Sequence, residues 1–189
     1  MVRSHAIQWL PVAEEDSAPG TFQAVLIALE HPGAVVHLPK YNDSPWPLNI
    51  ASTALLTTWV NPETPVWTDL CWDSDPAAWL QQTCACSLVT EPCMARVVFV
   101  ADPLRIPPLK QFYLGEDGQP ERSTTLILQV NGFSVPNGRS RSLQARPTGL
   151  PFRFCSDWDE QRRYLPLGID VFFTCVDTMV ALPRGFQLT

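Results

Sequence analysis

A chain of 189 residues is long enough to bury a core of its own, and its 46% hydrophobic, 17% charged and 10% aromatic content is too apolar for an intrinsically disordered segment. The net charge of −6, with two lysines and eleven scattered arginines of which only Arg139/Arg141 and Arg162/Arg163 fall close together, argues against a nucleic-acid surface. No stretch approaches the roughly 18 consecutive apolar residues of a membrane span, and residues 1–10 lack the apolar core and small-residue cleavage site of a secretion signal, so the reading is cytoplasmic, with no membrane partner.

In chain order, a first helix is expected over 17–29, with Ser17 as N-cap, Pro19 in the first turn, and Phe22, Val25, Leu26 and Leu29 at helical spacing. His31-Pro32-Gly33 stops it. A short β-branched strand follows at 34–38 and then a polar, proline-rich loop. A second helix over 47–60 carries Leu48, Leu55, Leu56 and Trp59 on an apolar stripe and ends at Asn61-Pro62. Residues 65–72 read as strand, 76–82 as a short helix capped by Asp75, and 96–100 as a buried strand. After a turn at 115–120, residues 124–130 form a strand. A hairpin turn at 134–138 would pair 126–130 antiparallel with 140–145. A helix over 156–163 with Ser156 as N-cap precedes a closing hairpin of 171–176 with 179–182 around Asp177-Thr178. With no repeat, linker or charge run, the expectation is one domain over 1–189, a mixed sheet covered by helices.

The usual catalytic signatures are missing. Neither G-x-x-x-x-G-K-[ST] nor G-x-G-x-x-G occurs, and no G-x-S-x-G elbow is present. The three histidines, His5, His31 and His37, read as capping or packing residues. A pyridoxal-phosphate enzyme needs a lysine amine for its Schiff base, and the candidates are Lys40, in the polar loop, and Lys110, after Pro107-Pro108-Leu109. Six cysteines without a secretion signal are read as reduced. Cys84 and Cys86, with Cys93 nearby, could ligate a metal or do redox work, but a structural zinc site wants four ligands, and small thiols in apolar packing are the simpler reading. Asp170, ahead of an apolar strand, is either a polar contact at a strand end or a turn residue, with Arg184 as its possible partner. Trp46, Trp59, Trp67, Trp72 and Trp79 crowd one part of the chain, leaving Trp9 and Trp158 elsewhere; most should be core, with one or two at a subunit contact.

Three segments together resemble the PhnH family, the H subunit of the carbon–phosphorus lyase core complex of bacterial phosphonate catabolism. They are Ala28-Leu29-Glu30-His31-Pro32-Gly33 at the end of the opening helix, Pro47-Leu48-Asn49-Ile50-Ala51 through Thr64-Pro65-Val66-Trp67, and 124–130 with Leu165-Pro166-Leu167-Gly168-Ile169-Asp170 leading to Leu182-Pro183-Arg184. Gln23, Leu29 and 146–150 depart from the family pattern. The resemblance implies an α/β three-layer fold with a mixed sheet, like the large domain of PLP-dependent transferases but without PLP or any other cofactor. It also implies a homodimer in isolation and a complex with the G, I and J subunits. The function implied is a non-catalytic subunit, needed with the G, I and L proteins to form ribose 1-phosphonate 5-triphosphate from ATP and an alkylphosphonate. The alternative is a phosphate- or phosphonate-binding protein or enzyme using a remnant pocket of Asn49, Asp170 and Arg184, where the N-terminus of the second helix would favour an anion.

Overall fold

A computed structural model describes residues 18–39, 44–134 and 145–187. Nine strands and four α-helices are described: α1 (Ala18–Glu30), β1 (Val36–His37), α2 (Ile50–Trp59), β2 (Pro65–Thr68), α3 (Asp75–Cys84), β3 (Ser87–Leu88), β4 (Val97–Val100), β5 (Thr125–Gln129), β6 (Gly132–Ser134), β7 (Arg146–Thr148), α4 (Arg153–Gln161), β8 (Asp170–Cys175) and β9 (Thr178–Leu182). Seven strands make one sheet in the order β1-β9-β8-β5-β4-β2-β3, and β6 pairs with β7 in a separate ribbon. From β3 through β8 the neighbours are parallel, while β9 and β1 add antiparallel at one edge.

The central strands are apolar on both sides because helices and turns cover both faces. All four residues of β4 are buried, and alternation sends Val97 and Phe99 to one face and Val98 and Val100 to the other. On the first face Phe99, Ile127, Phe172, Met179 and Ala181 pack under α1, α2 and α3. On the second face Leu126, Leu128, Val171, Phe173 and Val180 pack under α4 and under the turns that carry Ile106 and Leu109. Phe154 and Trp158, four residues apart on α4, stack at 6.5 Å between ring centroids, and Phe154 meets Phe173 edge-on at 5.6 Å.

Several sequence expectations are corrected. Helix α1 buries Ala24, Val25 and Ala28, whereas Phe22 (53% exposed), Leu26 (45%) and Leu29 (37%) face outward, because small residues let the helix lie close on β9 and α2. Helix α4 begins at Arg153, and Ser156, expected as its N-cap, lies inside it with its hydroxyl donating to Arg153 O. Ser74, not Asp75, occupies the cap position of α3, and Asp75 is the first helical residue, where its charge favours the helix N-terminus. Strand β2 stops at Thr68. The expected antiparallel pairing of 126–130 is replaced by parallel pairing of β5 with β4 and β8. Ser17, the 135–138 turn and residues 140–144 lie outside the described residues.

Candidate functional site at the carboxyl ends of the parallel strands

In an open α/β sheet the crevice beyond the carboxyl ends of the strands is where ligands bind. The loop before α2 crosses it. Asn49 caps α2 by accepting from Ser52 N–H at 2.8 Å, and its own N–H donates to Gln129 Oε1 at 2.6 Å. Gln129, the last residue of β5 and buried, donates through Nε2 to Pro47 O (3.0 Å) and Ala101 O (3.3 Å). From β8, Thr174 Oγ1 lies 2.7 Å from Ser52 Oγ and accepts from Asn49 Nδ2 at 3.4 Å. One glutamine and one threonine thus tie the start of α2 to two strand ends.

The turn from β8 to β9 is the two residues Val176 and Asp177. Val176 has φ +55°, which a β-branched residue rarely adopts, and it is 63% exposed. Tertiary bonds hold it there: Val176 O accepts from Ala51 N–H (2.9 Å), Asp177 O from Leu38 N–H (2.8 Å), and the Asp177 carboxylate sits 3.5 Å from His37 Nδ1. After β2, the half-buried Asp69 accepts from Ala101 N–H at 2.7 Å and Asp102 N–H at 3.0 Å. Burial holds its carboxyl above the ordinary aspartate range, outweighing those two amides, which pull the other way.

An anion at the α2 N-terminus would need free amides. Those of Asn49, Ala51, Ser52 and Thr53 are bonded to Gln129 Oε1, Val176 O, Asn49 Oδ1 and Asn49 O respectively. The protein itself thus occupies most of the amides that a phosphate would use, with no partner seen for Ile50 N–H among the described residues.

Asp170 and Arg184 do come together. The guanidinium grips the carboxylate through Nε (3.2 Å) and Nη2 (2.5 Å), Arg184 N–H donates to the same group at 2.9 Å, and Nη1 reaches Pro120 O at 2.6 Å. This clamp sits at the amino end of β8, where Asp170 is in register with Thr125, the first residue of β5. Asn49 contacts Thr174, four residues up the same strand, about 13 Å away by strand rise. The three residues expected in one pocket therefore belong to opposite ends of the sheet, since β8 runs the whole depth between them.

The remaining candidates divide clearly. Lys110 lies in a 3-10 turn (Leu109–Gln111) on the face that α4 covers, away from α2, and Lys40 and His5 lie outside the described residues. Cys84 and Cys86 are buried, with thiols directed at Leu56 O and Leu80 O. Burial, with the neighbouring Cys86, pushes the Cys84 thiol up to about 11. Among the described residues no cluster of three His, Cys, Asp or Glu side chains is placed to hold a metal ion. Sequence reasoning passed over Gln129, Thr174 and Asp69. Gln129 and Thr174 were visible as polar residues near the ends of otherwise apolar runs.

Geometry thus defines an α/β-sheet protein in which a polar network ties the start of α2 to the strand ends and an arginine–aspartate pair forms a clamp at the opposite end. Residues 13–189 match the family described as bacterial phosphonate metabolism protein (PhnH), and the chain belongs to that family. It is 28% identical over 186 residues to the PhnH subunit of alpha-D-ribose 1-methylphosphonate 5-triphosphate synthase from Rhizobium meliloti (strain 1021), covering 94% of this chain and 92% of that protein. No helix among the described residues is long and apolar enough to cross a membrane.

Proposed function

We propose that this chain, acting as one domain over 1–189 in the cytoplasm, is a non-catalytic subunit of a phosphonate ribosyl-triphosphate synthase. That assembly would form ribose 1-phosphonate 5-triphosphate from ATP and an alkylphosphonate. The observation that carries the reading is the family match over 13–189, joined to a relative that is itself named as a synthase subunit. Supporting it, the Asn49, Ala51 and Ser52 amides, the Asp170–Arg184 pair and the Cys84 and Cys86 thiols are engaged within the protein. The finer fold reading proposed is that of a PLP-transferase large domain working without PLP, with which a mixed sheet of parallel central strands is compatible. The partners proposed are a second copy of the chain when isolated and the G, I and J subunits in the complex.

Purified alone with ATP and methylphosphonate, the chain should release no adenine, and adding the G, I and L proteins should restore turnover. Adenine release by the chain alone would overturn the non-catalytic role. Sedimentation at micromolar concentration should show a dimer, with an interface above about 1,000 Å²; a monomer would count against the homodimer.

A further inference from the structure

Between the loop that precedes α2 and the carboxyl ends of β5 and β8 lies an open cleft of about 540 Å³, within the range of small-molecule sites. Its walls are the indole of Trp46, Pro103, Val130 and Val176, and among the described residues no Asp, Glu, Lys, Arg or His lines it. Two polar groups there are uncommitted. Among the described residues Ser44 Oγ is buried without a hydrogen-bond partner, and no side-chain partner is seen for the Asn131 amide, which lines the same cleft. The amide is held against Gly149 (φ +90°), so closely that a Cβ on that glycine would come within 2.6 Å of Nδ2. Trp46 is 88% exposed at the rim, an unusual place for an indole.

We infer that this cleft binds an uncharged planar heteroaromatic ring, stacked on Trp46, with its polar edge toward Ser44 and Asn131. Among the described residues no cation lines the walls, and the N–H groups of Asn49, Ala51 and Ser52 are already bonded, so little there would neutralise an anion. An ammonium group would likewise be desolvated with no carboxylate among the described lining residues to meet it. A sugar presents a hydroxyl on nearly every carbon and would need more partners than one hydroxyl and one amide. A flat ring with one or two polar atoms matches both the apolar walls and the short supply of hydrogen bonds. The inference is independent of the subunit role, since a subunit can hold or lack such a ligand.

The test uses the full chain with its tryptophan indoles labelled with nitrogen-15, the Trp46 signal being assigned from the W46F spectrum. Nicotinamide, uracil and purine are titrated as neutral rings. Nicotinate serves as the same ring carrying a charge, and inorganic phosphate as a charge without a ring. At least one neutral ring should shift the Trp46 indole signal saturably, nicotinate should bind at least tenfold more weakly than nicotinamide, and phosphate should leave the signal still. W46A and N131A should each weaken the binding tenfold or more while the unfolding temperature stays within a few degrees. Equal binding of nicotinate and nicotinamide, or a response to phosphate, would overturn the inference. So would a Trp46 signal that no neutral ring moves, above all if W46A then loses the partner subunits, which would make Trp46 a protein contact.

Discussion

At the scale of single residues, Gln129 and Asp69 show how a buried polar group is tolerated once every oxygen and nitrogen has a partner. Gln129→Ala leaves Asn49 N–H and the carbonyls of Pro47 and Ala101 without their partner in a part-buried setting. It should cost about 2–3 kcal/mol in urea unfolding; a loss below about 0.5 kcal/mol would mean that the network is dispensable. Asp69 carries a pH signature. Its folded pKa is raised, so the fold favours the protonated form, and the stability this contributes is full below the unfolded value near about 4 and lost as pH rises through the folded value. Asp69→Asn does not titrate. The stability of the native protein relative to D69N should therefore fall as pH rises through that window and stay level above it, and parallel pH profiles for the two would refute the assignment. Neither role was legible in the sequence, because a carboxylate after a strand and a glutamine ending one look the same whether exposed or enclosed.

At the scale of elements, periodicity located α1 and placed Val25 in the core, but it assigned Phe22, Leu26 and Leu29 to the wrong face. Two apolar faces compete on that helix, one of bulky residues (Phe22, Leu26, Leu29) and one of small ones (Ala24, Ala28), and hydrophobicity alone ranks the bulky face first. Close packing against β9 and α2 instead selects the alanines. Leu26→Gln should accordingly change stability by no more than about 0.5 kcal/mol, whereas Ala28→Leu should cost about 1–3 kcal/mol through overpacking, both read from denaturant midpoints; the reverse order would turn the helix round. The short caps fared similarly. Ser156 and Asp75 have the chemistry of N-caps, yet each helix starts one to three residues earlier than its predicted first residue, since packing of Phe154 and Ala77 decides where the first turn sits.

For the molecule as a whole, the Asp170–Arg184 clamp joins the strand after α4 to the chain beyond β9 and, through Pro120 O, to the turn before β5. Arg184→Met removes the charge partner of a largely buried carboxylate and should cost about 2–3 kcal/mol, with most of it restored in the Asp170→Asn/Arg184→Met double variant; additive losses would show that the two residues act separately. The pairing was legible because an isolated carboxylate ahead of a buried strand needs a cation. The placement of Asn49 with them was not, since adjacency across a sheet depends on strand direction. By itself the sequence determined the mixed α/β class, the apolar central strands, the closing hairpin, the resemblance to the phosphonate family and the poverty of catalytic motifs, all properties of local composition and spacing. Only the tertiary structure decided that β5 pairs in parallel, that α1 presents its bulky residues outward, and that the Asn49, Ala51 and Ser52 amides are already bonded. Those outcomes turn on which distant residues compete for the same space and the same hydrogen bonds.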